Sequence, residues 1–522
     1  MRLQSRARYC SCFPVSLSSV AGVFLFFFLV LLLSGCDSGE QETPPPPRTA
    51  IQLPEDSGLT SAAKSGPPVF YQYTILPGSP PKMLVEFSVT ELKPGIDYIV
   101  VPTQFGTAHN IQKYFKNIRA FDSYDKKVAV VPDRSHSPRL LGLAMAAWKI
   151  SVPQDGFIKV KAELVEPAAK ELGYGWILQN HLRDDWVQFA ATSSRISLES
   201  VLKSRRVERF DFKLPQGTRI VCSEKKQEDG YAYDLWTMAF IGDYKKVQSF
   251  SDDFVSVEAY ANPPGLKLKE IIGKSTKDIA GILRHAIKIY GGPPDPASGL
   301  PLKVRTVYQT DSAFSRPRFK AGVACNKDFF FAFTNTEGGL TDYVTHESLH
   351  FYNEWAFSGQ PIPPSGTPAD VMWVLEGFNE YVTFKWQYDA GMISAESFWK
   401  HMRDKKKAYM ASKWKNTHSI RSAADHYNSQ EAFDIIYAKG PLVALLLDQS
   451  IKEHTNNSKS IDDVFVQLYR NYNRYQGRRL YTNKDVLNIL TDITGADYSN
   501  LYKKWVLGTE SLDFSSVPQL GG

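Results

Sequence analysis

The stretch Val344-Thr345-His346-Glu347-Ser348-Leu349-His350-Phe351-Tyr352 decides how the rest of the chain is read. On an α-helix, residues four apart stand one turn above each other on the same face, so His346 and His350 can offer two imidazole nitrogens to one ion. Glu347 stands beside that face. Two histidines at this spacing, with a glutamate after the first, form the His-Glu-x-x-His arrangement in which the histidines bind zinc and the glutamate is general base on a metal-bound water. The competing reading is an amphipathic helix with two exposed or hydrogen-bonded histidines. Thr341 or Asp342 is expected near the N-cap, and the helix should end before Gly359 and Pro361.

Two histidines and a water leave a catalytic zinc one protein ligand short. Beyond the proline-rich loop from Gln360 to Pro368, the segment Met372-Trp373-Val374-Leu375-Glu376-Gly377-Phe378-Asn379-Glu380-Tyr381 reads as a second helix. Glu376 is the candidate third ligand. Glu380, one turn further on, is placed to accept the free ring N–H of one zinc histidine and fix its tautomer, with a solvated surface glutamate as the alternative.

Upstream, Leu302 to Tyr308 and Phe329 to Phe333 read as strands, so a small sheet precedes the His-Glu helix, as in zinc proteases whose edge strand aligns the substrate backbone. Lys277 to Tyr290 has helical spacing and stops at Gly291-Gly292-Pro293-Pro294. From Val69 to about Phe250 the pattern is strand-like, as in Tyr71 to Ile75, Met83 to Val89, Ile96 to Val101 and Gly156 to Leu164. His109, His136 and His181 in that region have no metal-ligand spacing and are read as surface or core histidines.

The first 36 residues stand apart. Arg2, Arg6 and Arg8 precede an apolar run from Val20 to Leu33 that is short for a membrane span, and Leu33-Ser34-Gly35-Cys36 resembles the lipobox of bacterial lipoproteins. That likeness implies removal of residues 1–35, a lipid on Cys36 and a place on the periplasmic face of the inner or outer membrane; an uncleaved anchor or an ordinary signal peptide would also export the chain. Asp37 resembles the inner-membrane retention signal of enterobacterial lipoproteins. Residues 36–68, with Pro44-Pro45-Pro46-Pro47, are polar and proline-rich and read as a tether.

Of the five cysteines, Cys10, Cys12 and Cys36 belong to this leader, leaving Cys222 and Cys325 either to bridge or to stand as two buried thiols. Sixty-one basic against 55 acidic residues give a formal charge of +6. No basic cluster is interleaved with aromatics, so nucleic-acid binding is not expected.

The motif and Trp373-Val374-Leu375-Glu376-Gly377-Phe378 together resemble the gluzincin metallopeptidases. Among these the chain is most similar to the glycyl aminopeptidase family, with the aminopeptidase N family as near neighbour, whose spacing from second histidine to glutamate is shorter. Tyr437-Ala438-Lys439-Gly440, opening an apolar helix, matches the Tyr-x-Lys-Gly segment of both families. The resemblance implies that Tyr437 donates a hydrogen bond to the oxyanion, work that a phenol can do because it stays protonated at neutral pH. Two departures stand out. No PDZ domain follows before Gly522, and Gly322-Val323-Ala324-Cys325-Asn326-Lys327, which resembles the glycine-rich strand of these families, lacks the glutamate with which their aminopeptidases hold the substrate amine; Glu337 is a substitute candidate.

The expectation is therefore an α+β multidomain chain. An all-β sandwich-like domain covers 69–250, a thermolysin-like zinc catalytic lobe 251–390, a mainly helical lobe 391–515 and a tail 516–522. The expected activity is hydrolysis of peptide bonds by a Zn2+ site of His346, His350 and Glu376 with Glu347 as base and Tyr437 as oxyanion donor. An inactive lipid-anchored scaffold of the same fold, or a zinc hydrolase of a non-peptide substrate, are the alternatives.

Overall fold

A computed structural model describes residues 66–520, except 77, 79–80, 106–107, 142, 167–179, 263–265, 310–319, 335–339, 358–368 and 427–428. The leader with Cys36, most of the tether, Glu337 and the side chain of His109 lie outside the described residues.

Alternation of apolar and polar residues builds the first half. In Val69–Leu76, Val69, Tyr71 and Tyr73 are buried while Phe70 and Gln72 are exposed, and Met83, Val85, Phe87 and Val89 alternate likewise in Lys82–Val89. These strands sit inside a seven-stranded sheet, where Val69–Leu76 pairs parallel with Glu208–Lys213 and antiparallel with Lys82–Val89. A five-stranded sheet containing Gly95–Pro102 and Leu143–Val152 shares its core: Ile99, Val101 and Met145 lie in one buried cluster with Tyr71 and Val160.

A four-stranded sheet stands between this core and the second half. Its central strands, Trp186–Ala190 and Met238–Gly242, are buried on both faces. Val187, Phe189, Ala239 and Ile241 face the first core, whereas Trp186, Ala190, Met238 and Phe240 join Val307, Phe329 and Phe331 of the next sheet. The Arg305 guanidinium adds a polar tie, donating to the carbonyls of Cys222 (2.6 Å) and Ser223 (2.9 Å).

That next sheet has five strands in the order Lys245–Ser251, Val255–Ala261, Leu302–Gln309, Phe329–Thr334, Lys320–Asn326. Lys245–Ser251 straddles the boundary expected at 250 and belongs here. The helix Leu266–Tyr290 makes the crossover between the parallel strands Val255–Ala261 and Leu302–Gln309, and it starts eleven residues before the expected Lys277 because Ile272 is buried and extends the apolar stripe. Lys320–Asn326 is the edge strand, antiparallel to Phe329–Thr334, and its pattern alone had not marked it as a strand.

Helices carry the rest. Thr341–Asn353 follows the sheet, and its N-cap is Leu340, with no side-chain cap, rather than Thr341 or Asp342. The second expected helix begins as a π-helical turn, Trp373–Phe378, and continues as α-helix over Asn379–Asp389. The same device recurs as π-helical Ile435–Lys439 running into α-helical Gly440–His454. No helix among the described residues is long and apolar enough to cross a membrane. Cys222 and Cys325 are both buried and free, so the bridge is not formed.

Candidate metal centre

The helix Thr341–Asn353 is buried nearly all round: Val344, Leu349, Phe351 and Tyr352 pack into the core, and His346 and His350 are also buried. Glu347 is only partly covered. Its Oε2 accepts the backbone N–H of Ala324 on the edge strand at 3.0 Å, and a Cβ at Gly322 would sit 3.0 Å from Glu347 Cγ. Glycine at 322 is thus what lets the strand pass close enough to grip the carboxylate.

The second helix is locked against the first by buried amides. Asn379 Nδ2 donates to the carbonyl of His346 at 3.2 Å, Asn353 Nδ2 donates to Asn379 Oδ1, and Gln387 Nε2 donates to Thr345 Oγ1 at 3.0 Å. This registration brings Glu376 over the two histidines. Glu376 Oε2 lies 3.2 Å from His346 Nε2 and 3.4 Å from His350 Nε2, and the two Nε2 atoms are 3.0 Å apart. Within the described residues this is the set of three whose donor atoms converge as metal ligands would.

Behind each imidazole stands another carboxylate. His346 Nδ1 is 2.7 Å from Glu380 Oε2, close enough for a hydrogen bond although not ideally aligned, and Glu380 Oε1 is held by Lys405. His350 Nδ1 is 3.4 Å from Glu354 Oε2. Reading the sequence had not singled out Glu354; its signal is the spacing, since His346, His350 and Glu354 lie at successive four-residue intervals along one helical face.

Four carboxylates around two imidazoles make the site strongly electronegative. Burial disfavours a charged His346, but the carboxylates of Glu376 and Glu380 outweigh it and carry its pKa up to about 10. Burial works against an ionised Glu376 as well, yet His350 and His346 hold it well below the usual carboxylate range. Glu347 is raised, mainly by burial, and burial with the neighbouring Glu376 and Glu347 charges pushes Glu354 up to about 8.

Tyr437 comes from the second π-helical turn. Its ring centroid is 6.0 Å from that of His346, and it stacks on Phe433 at 5.4 Å. The first π-helical turn touches the start of the helix that follows the second, glycine against glycine: a Cβ at Gly440 would fall 2.7 Å from Gly377 Cα, and one at Gly377 would fall 2.8 Å from Gly440 Cα. His136 and His181 are elsewhere, beside Glu199 (2.6 Å) and Glu166 (3.4 Å) respectively. Cys325 on the edge strand is buried in the cluster of Phe329 and Phe331.

No protein-family model matches the chain, and no curated protein matches it either. Solved structures do. An aminopeptidase N family protein from Idiomarina loihiensis superposes with a TM-score of 0.70 at 13% identity, over 86% of this chain and 78% of that one. The chain has an aminopeptidase N-like fold. A mutant M1 zinc metallopeptidase from Deinococcus radiodurans, solved with a Tyr-Ser-Ala substrate, matches at TM-score 0.51 and 10% identity, over 86% of this chain and 94% of that one. Twenty-five residues separate His350 from Glu376.

Proposed function

We propose that this chain is a zinc-dependent peptidase that hydrolyses peptide bonds. The observation that carries the reading is the triangle of His346 Nε2, His350 Nε2 and Glu376 Oε2, with sides of 3.0, 3.2 and 3.4 Å. Tetrahedral zinc with bonds of about 2.0–2.1 Å sets its ligand atoms about 3.3 Å apart, so the donor set fits in both chemistry and size. When bound, zinc supplies Lewis acidity that lowers the pKa of water to about 7 and draws charge toward a carbonyl oxygen.

The chain's own groups do the rest. Glu347, tied through one oxygen to Ala324 N–H, takes the proton of the attacking water with the other and returns it to the leaving amine. Tyr437 donates its phenolic hydrogen to the oxyanion that develops on the carbonyl. The edge strand Lys320–Asn326 aligns the peptide by backbone pairing, as strand addition does elsewhere. Glu380 orients His346. The peptide seen in the Deinococcus protein supports this substrate class. The motif spacing favours the glycyl aminopeptidase family as the finer relationship, and the lipobox-like Leu33 to Cys36 supports a lipid anchor on the exported side of a bacterial membrane.

Zinc content measured together with cleavage of peptides bearing free or blocked N-termini tests this. Glu347→Gln should cut turnover by about 10²–10⁴-fold with zinc still bound. Full activity in that variant would overturn the mechanism, and cleavage of blocked peptides would assign an endopeptidase. For the anchor, Cys36→Ser should move the protein out of the membrane fraction; unchanged partition would remove that part of the reading.

A further inference from the structure

We propose that Glu354 is the positioning residue of His350, giving each imidazole of the metal triangle a carboxylate of its own. The inference rests on the zinc reading above and concerns a residue that neither the motif nor the resemblance assigns. Glu354 closes the helix Thr341–Asn353 as its C-cap, and its backbone N–H donates to the carbonyl of His350 at 3.0 Å. The same turn of chain therefore holds both the backbone and the ring of His350. The carboxylate Oε2 lies 3.4 Å from Nδ1, and the two side chains keep only 13% and 5% of their surface exposed.

Among the described residues, Nδ1 of His350 makes no well-formed hydrogen bond, and the Glu354 carboxylate at 3.4 Å faces it without ideal alignment. A buried ring N–H without an acceptor is costly, and a zinc-bound imidazole turns its Nδ1 outward with its proton in place. Glu354 is the acceptor within reach. Its loop is pinned from the other side, where Trp355 Nε1 donates to the carbonyl of Ala324 at 3.3 Å, and Arg474 N–H donates to the carbonyl of Ala356 at 2.8 Å. The carboxylate thus sits on a braced turn, in the way that an orienting group must.

Glu380 does the same work on His346, but from a different helix and with Lys405 behind it. The two carboxylates touch different imidazoles of one shared metal triangle, so removing both should weaken the metal more than removing either.

The experiment is zinc affinity of the full chain by chelator competition, with the visible spectrum of the cobalt-loaded form as a second readout. Glu354→Ala should weaken zinc about 10–100-fold and shift the cobalt bands, with Glu354→Asp recovering part of the loss. Glu354→Ala combined with Glu380→Ala should weaken zinc further than either single variant. Melting of the metal-free forms separates this from unfolding; where Glu354→Ala melts lower than wild type, Glu354→Gln, of the same size, carries the test with a loss of about 10-fold. Unchanged zinc affinity and cobalt spectrum in a folded variant overturn the inference and leave the peptidase reading standing. A raised KM for free-amine peptides at unchanged zinc affinity also overturns it, by making Glu354 a substrate contact. Failure of the wild-type chain to bind zinc removes both readings.

Discussion

Tyr437 and Lys439 sit two residues apart on one π-helical turn and have opposite characters. The tyrosine, half-buried beside His346, is the oxyanion donor proposed above; Tyr437→Phe should lower kcat about 10²–10³-fold while KM moves little, because a donor to a developing charge acts in the transition state. A KM change with kcat intact would reassign it to substrate binding. Lys439 is fully buried and donates to the carbonyl of Gly508 at 3.2 Å. Burial, only partly opposed by Glu510, lowers its pKa to about 8. An unfolded lysine titrates near 10.4, so between about pH 8 and pH 10.4 the unfolded chain holds more protons and stability rises with pH, by about 3 kcal/mol in all. Lys439→Met lacks this term. Urea unfolding at pH 7, 8.5 and 10 should show wild type gaining on the variant as pH climbs, and a constant gap between them would refute the assignment.

At the scale of elements, the close approach of Gly377 in Trp373–Phe378 to Gly440, which directly follows Ile435–Lys439, fixes where Glu376 and Tyr437 stand relative to each other. Both turns are π-helical, a conformation that recurs at functional sites because it re-aims a side chain by one position. Backbone cannot retreat as a flexible side chain can, so Gly440→Ala should cost about 1–3 kcal/mol and weaken zinc binding beyond what a remote substitution of equal cost does. Calorimetry and chelator competition together check it; a stability loss with zinc affinity untouched would uncouple the crossing from the site.

None of this crossing was legible in the sequence, since it joins residues sixty-three apart in the chain. His346, His350 and Glu376 were, because helical periodicity and the arithmetic of zinc ligation need no tertiary contact. Glu354 lay between the two cases: its spacing was visible, but a glutamate at a helix end reads as solvated until burial is known. The edge strand Lys320–Asn326 escaped the pattern, with Gly322 breaking its alternation for the sake of Glu347.

For the molecule as a whole, the four-stranded sheet couples the two halves. Phe240 is fully buried between them, with its ring 5.1 Å from Phe331. Phe240→Ala should cost about 3–5 kcal/mol and lower a single unfolding transition, seen alike by far-UV circular dichroism and tryptophan fluorescence. Two separated transitions in the wild type would show the halves to be independent. The strands of the first half were foreseeable from alternation, whereas the continuous burial of Trp186 to Ala190 gave no hint of which neighbour each face serves.

That division of faces has a consequence for how the chain can change over generations. Adjacent residues on Trp186–Ala190 and Met238–Gly242 answer to different neighbours: Val187 and Ile241 must suit the sandwich, while Trp186 and Phe240 must suit Phe329 and Phe331. Drift on one face is therefore judged by one half of the molecule, and drift on the other face by the other half. A recombination that exchanged either half alone would inherit a sheet tailored on one side to a partner left behind.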